Sequence, residues 1–308
     1  MENTRAKTTR NSLILLLTAT IWGMAFVSQS KGMDYMHPFT FNGVRSLIGA
    51  AGILVYILIS RKITGDKAAK LDWKRNVRAG LLCGIFLTIA STLQQFGIKY
   101  TSVGKAGFIT TLYIIFVPMF GIFLKKKVAP VVWAAAGMAA VGMYLLCMTE
   151  SLRLGAGDIM VFLCAIAFAI QIMTVDHYAA RIDGAVVSCI QFTVCGVVCC
   201  IGALIWGQPT FGQIQEGLGA LLYAGVLSCG VGYTLQIVGQ KGLNPTVAAL
   251  IMSLESVIAT ISGWIAYKIG FLSTDQTLTP RQIAGCVIVF AAVILVQLPP
   301  EWFRFGKK

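Results

Sequence analysis

Charge is what this sequence has least of. Asp, Glu, Lys and Arg together make up 12% of its 308 residues, where soluble domains carry about a quarter. With 57% hydrophobic residues and a mean hydropathy of +0.78, the shortage excludes an ordinary soluble domain and points to lipid. Histidine is nearly missing: His37 and His177 stand far apart near the ends of apolar runs, with no H-E-x-x-H spacing, so no metal is expected. The nine cysteines contain no C-x-x-C pair and lie in or beside apolar runs, which excludes a disulfide or zinc framework. No Walker-type glycine loop occurs, so ATP-driven work is excluded and no cofactor is expected. There is no polar stretch long enough for a separate catalytic domain and no nucleophile–base pair at depth, so the chain is not read as an enzyme.

What is present is apolar sequence in pieces of one size. Ten runs of about the length that crosses ~30 Å of hydrocarbon cover 11–29, 38–60, 77–98, 104–124, 130–148, 157–177, 185–206, 217–238, 245–268 and 281–298. The fold class expected is therefore all-α integral membrane, with ten transmembrane helices. The net charge of +13 is explained by where the basic residues fall. With a cytoplasmic N-terminus, eighteen of them lie inside. These are Arg5, Lys7 and Arg10, the seven from Arg61 to Arg78, Lys125 to Lys127, Arg181, Lys241, Arg304, Lys307 and Lys308. Six lie outside: Lys31, Lys99, Lys105, Arg153, Lys268 and Arg281, leaving Arg45 within a run. This bias follows the positive-inside rule, places both termini in the cytoplasm, and removes any need for a nucleic-acid partner.

The two halves repeat. Sliding the chain by 142 residues lays "TLQQFGIK" from Thr92 on "TLQIVGQK" from Thr234, matching Gln94 to Gln236, Leu112 to Leu254 and Tyr113 to Glu255 in register. Each half holds five runs, and an odd number turns the second copy upside down in the membrane. Inverted repeats commonly build two gates around one midplane site.

Trp22-Gly23 in the first run, Pro38 followed by Arg45 in the second, and "LES" with "GW" in the ninth resemble the EamA repeats of ten-helix members of the drug/metabolite transporter superfamily. The resemblance covers nearly the whole chain. It implies two inverted five-helix repeats, 1–149 and 150–308, and solute movement by alternating access. Ser256 stands where the family usually has proline after the glutamate, Tyr267-Lys268 replaces a usual Gly-Glu, and the loop "IGFLSTDQTLTP" is longer than typical.

Depth selects the candidate site. Glu255 lies about ten residues, or ~15 Å, into its run, at the midplane. Keeping a lone carboxylate charged there costs about 2.5–3.5 kcal/mol, so such groups usually face a cavity and a function. Tyr113 and Trp22 are equally central, and Arg45 is about seven residues, ~10 Å, from the outer edge. Glu255, Tyr113, Trp22, Arg45 and Asn42 are the expected substrate-binding residues. Packing competes for Trp22, Arg45 and Asn42, because helix interfaces in lipid also use aromatic and polar groups. Gln94, Gln236 and Gln191 are expected as gate or packing residues, and Pro118 as a kink in the fourth run.

The functional expectation is a secondary transporter. It would move a small organic solute, an amino acid or related metabolite, outward across the cytoplasmic membrane, with protons as the candidate coupling ion. Efflux of drugs or organic cations is the second reading. A channel is the third, disfavoured because single dissimilar polar residues replace a ring of like groups. The partners expected are solute and bilayer, and the sequence specifies no oligomeric state.

Overall fold

A computed structural model describes residues 2–64, 72–125, 130–147, 155–273 and 275–297. Ten long helical stretches follow one another among the described residues: α1 (Glu2–Gly32), α2 (Pro38–Thr64), α3 (Trp73–Ile98), α4 (Val103–Phe123), α5 (Pro130–Cys147), α6 (Ala156–Ala179), α7 (Gly184–Gly207), α8 (Leu218–Gln240), α9 (Pro245–Lys268) and α10 (Pro280–Gln297). Among the described residues there are no strands. Eight helices are long and apolar enough to span a bilayer, and the apolar helices Pro130–Gly142 and Pro280–Leu295 of α5 and α10 are shorter. A short helix, Phe211–Glu216, precedes α8 and was not anticipated from hydropathy. The 149/150 repeat boundary and the basic residues Lys67, Lys70, Lys126, Lys127, Arg153, Arg304, Lys307 and Lys308 lie outside the described residues.

Local chemistry sets the helix starts. Asp72, Ser102, Asp183 and Asn244 each accept a hydrogen bond from a first-turn backbone N–H of α3, α4, α7 and α9. These side chains satisfy donors that a helix start otherwise leaves open. Pro38, Pro130, Pro245 and Pro280 open their helices, where the missing N–H is no loss.

The molecule is apolar outside and partly polar inside. Leu54, Tyr56, Leu58 and Ile59 of α2 and Val197, Val198 and Ile201 of α7 are exposed, whereas Gln95, Gln191, Gln236 and Thr111 are buried. Such a surface suits lipid and would be an aggregation hazard in water. Helix pairing has an internal order: α2 packs on α7, α4 on α9, α5 on α10, α1 on α9, α4 on α6, α3 on α6, α1 on α8, α3 on α7 and α2 on α8. Adding or subtracting five from each number turns this set into itself.

Candidate solute site in the helix core

Two helices break at matching depth. The α4 ladder is interrupted at Leu112, between Val103–Thr111 and Tyr113–Phe123, and α9 at Ser253, between Pro245–Met252 and Leu254–Lys268. Each break tightens one turn: Ile115 N donates to Leu112 O at 2.9 Å and Ser256 N to Ser253 O at 3.1 Å. Backbone groups cannot be left open in a lipid-embedded core, and nearby hydroxyls help to satisfy them. Thr111 Oγ1 donates to Phe108 O at 2.8 Å, Ser253 Oγ to Leu250 O at 2.7 Å, and Ser256 Oγ to Ser253 O at 2.8 Å. Ser256 therefore meets Ser253 O with both its N–H and its hydroxyl, and proline at this position would supply neither donor. Pro118, expected to kink α4, lies inside the continuous helix Tyr113–Phe123, and the interruption falls upstream of it.

One residue after the first break and two after the second stand Tyr113 and Glu255, 142 residues apart and hydrogen-bonded, with Tyr113 Oη donating to Glu255 Oε1 at 3.1 Å. They are 2% and 4% exposed. Both line a cavity with Trp22, Arg45, Phe192 and Tyr233. Trp22 leans on Tyr233 with ring centroids 4.5 Å apart, and Phe192 meets the same ring edge-on at 5.0 Å. Two glycines admit this arrangement. A Cβ on Gly23 would sit 2.6 Å from Ile258 Cβ and 2.8 Å from Glu255 O, so α1 reaches the backbone of α9 only without a side chain there. A Cβ on Gly232 would lie 2.7 Å from Trp22 Nε1. The Trp22-Gly23 pair thus places an indole in the cavity and a bare backbone against Glu255.

Two donors and one acceptor, Gln29 Oε1, are buried on these walls without partners. Arg45 Nε and Trp22 Nε1 are buried without hydrogen-bond partners, and the Arg45 guanidinium lies over Phe41 at 5.4 Å. Buried unpartnered donors are costly and mark a place where an acceptor is welcome. The cavity holds about 30 Å³, room for about two waters. Ligand pockets run to several hundred Å³, so an organic solute fits only after the helices part.

The model of the EamA-like transporter family matches residues 10–148 and again 155–298. The chain belongs to that family. It is a multi-pass membrane transporter of the EamA, drug/metabolite type. It is 27% identical over 290 residues to an uncharacterized transporter of Archaeoglobus fulgidus, covering 92% of this chain and 84% of that one. It is 24% identical over 295 residues to the uncharacterized transporter YwfM of Bacillus subtilis, covering 94% of each. A protein of known crystal structure superposes with a TM-score of 0.71 at 16% identity, over 93% of this chain and 96% of that one, which shows a shared fold.

Within this EamA-like chain the expected residues divide. Glu255, Tyr113, Trp22 and Arg45 meet at the cavity, and so do Gln94 and Gln236, expected as gate or packing residues. Arg45 is not paired with Glu255: the salt bridges among the described residues are Lys31–Asp34, Arg75–Asp72 and Lys105–Asp158. Asn42 turns away from the cavity and donates through Nδ2 to Ser91 O at 2.9 Å, tying α2 to α3. Gln191 is also off the cavity, fully buried, with neither amide atom partnered. Among the described residues no metal cluster occurs. His37 lies in the turn before α2 against Phe39 and Phe96, where burial, and secondarily Lys99, lower its pKa.

Sequence reasoning missed Gln29, Gln171, Phe26, Phe168 and Tyr233, which also line the cavity. A signal existed. "AFVSQ" at 25–29 and "AFAIQ" at 167–171 share alanine, phenylalanine and glutamine at the same 142-residue offset.

Proposed function

We propose that this transporter carries a small organic solute, an amino acid or related amphipathic metabolite, outward across the cytoplasmic membrane. It does so by alternating access of two inverted five-helix repeats, 1–149 and 150–308, with both termini inside and with Glu255 exchanging a proton for the solute's cation. The carrying observation is the Tyr113–Glu255 hydrogen bond, which joins the two broken helices across one narrow cavity. Broken helices at corresponding places in two halves are how many secondary transporters build a midplane site. The family model's two matches and the self-mapping helix pairs support the repeat. The unpartnered donors of Arg45 and Trp22 suit a carboxylate, and Glu255 suits an ammonium.

Counterflow in proteoliposomes tests the proposal. Thermal shift of the purified protein against amino acids, related metabolites and lipophilic cations first selects a ligand, since a solute that binds the folded state raises Tm. Preloading that solute should then accelerate labelled uptake. Equal uptake with and without preload would indicate a channel and end the alternating-access reading. The aromatic wall of Trp22, Phe192 and Tyr233 favours one second reading, an organic cation held by cation–π contact. Stabilisation by lipophilic cations alone would select it.

A further inference from the structure

Four buried glutamines line the one cavity, and they form two pairs at the repeat offset: Gln29 with Gln171, and Gln94 with Gln236. On the second half, Gln171 of α6 and Gln236 of α8 exchange both hydrogen bonds. Gln171 Nε2 donates to Gln236 Oε1 at 3.4 Å, and Gln236 Nε2 donates to Gln171 Oε1 at 3.2 Å. This closed amide ring satisfies both groups where water is scarce. On the first half the counterparts, Gln29 of α1 and Gln94 of α3, do not pair. Gln94 Nε2 donates to Thr110 Oγ1 at 3.2 Å, and Gln29 Oε1 is buried with no partner. The helices follow the amides: α6 packs against α8 more extensively than α1 against α3, where Gln95 Nε2 donates to Gln29 O at 3.1 Å.

One sequence difference accounts for the choice. At the same offset, Thr110 corresponds to Met252, which is fully buried and offers no hydroxyl. Gln94 has a competing partner on α4, and Gln236 has no such partner on α9.

We propose that the two glutamine pairs are alternate latches of the transport cycle. Gln171·Gln236 shuts the α6–α8 mouth in this conformation, Gln29·Gln94 shuts the α1–α3 mouth in the opposite one, and Thr110 biases the protein by holding the second latch undone. This rests on the inverted-repeat, alternating-access reading above. Two arrangements of one packed core, each closing a different mouth, are what a bistable switch requires. The side chain that competes for a latch sets the populations.

Hydrogen–deuterium exchange of the purified protein in lipid nanodiscs, resolved by mass spectrometry, tests the latches without any solute. Thr110→Val frees Gln94. Amides around Gln171 and Gln236 should then exchange at least ~10-fold faster, and those around Gln29 and Gln94 slower. Met252→Thr should speed exchange at the α6–α8 mouth by giving Gln236 a second partner. Gln29→Leu should leave the wild-type pattern in place and abolish the Thr110→Val shift in the double variant. Thermal melting checks that each variant folds, and Met252→Thr carries the test should Thr110→Val not fold. Unchanged mouths in Thr110→Val and Met252→Thr, or a Thr110→Val shift that survives Gln29→Leu, would overturn the latches. Moving mouths without counterflow of the solutes tested would keep the latches and overturn the proposed solute class. Counterflow with unmoving mouths would do the reverse.

Discussion

The two halves of this chain line one cavity with matching backbones and unequal side chains. Helix breaks at Leu112 and Ser253 correspond, yet one delivers a phenol and the other an acid. Gly23 opposes Ala165 at the repeat offset, Thr110 opposes Met252, and the regular α3 opposes α8, which runs through wide π turns from Tyr223 to Gly232. Wide turns of this kind recur at functional sites. The lesson is a division of labour. On the latch proposal the shared backbone would supply two arrangements, and the differing side chains would supply the chemistry and set which one prevails.

The comparison breaks most visibly at the acid itself. Glu255→Tyr leaves the cavity without a carboxyl group and should cut transport roughly 100-fold, about 2.7 kcal/mol. Adding Tyr113→Glu moves the acid to the other half and restores a phenol–carboxyl hydrogen bond. Thermal stability should then return toward wild type, and a double variant no more stable than the single would show that the halves are not interchangeable there.

Packing gives the next effect. In Gly23→Ala the new Cβ meets Ile258 and the Glu255 carbonyl, at a strain of about 1–3 kcal/mol. The gain of about 1 kcal/mol in helix propensity does not offset this. Its counterpart Ala165→Gly meets no clash but loses about 1 kcal/mol of helix propensity and the burial of a fully covered methyl, roughly a further 0.8 kcal/mol, so both variants should melt below wild type. A Gly23→Ala protein as stable as wild type would contradict the close approach of α1 to α9.

The smallest expected change is at Asn42. Asn42→Ala removes the tie to Ser91 O and should cost about 0.6–1.7 kcal/mol, the range of interhelical hydrogen bonds in membranes. Counterflow should be unaffected, because Asn42 is off the cavity. Loss of transport at full stability would return it to the solute site.

Hydropathy made the ten helices legible, because lipid demands one length and one kind of surface. The 142-residue offset made Tyr113 and Glu255 legible as partners. The breaks were not, because no proline stands at Leu112 or Ser253, and the hydroxyls of Thr111, Ser253 and Ser256 that accompany them are common inside membrane helices. Depth alone also misplaced Asn42: it tells how far a residue enters the membrane and nothing of how its helix is rotated. Gln29 and Gln171 were overlooked because a lone glutamine near a helix end looks like interfacial decoration, and only the flanking Ala-Phe pairs reveal the repeat.

The most direct test of Glu255 as the proton-exchanging group is the pH profile of counterflow by Glu255→Gln, with thermal stability measured on the same sample. The variant keeps nearly the shape of the neutral acid and can still hydrogen-bond Tyr113. The proposal predicts a folded protein with melting close to wild type, transport down at least ~10-fold, and whatever remains independent of pH. Wild-type counterflow with an unchanged pH profile would contradict it, and lowered stability with that profile intact would assign Glu255 to joining α4 and α9.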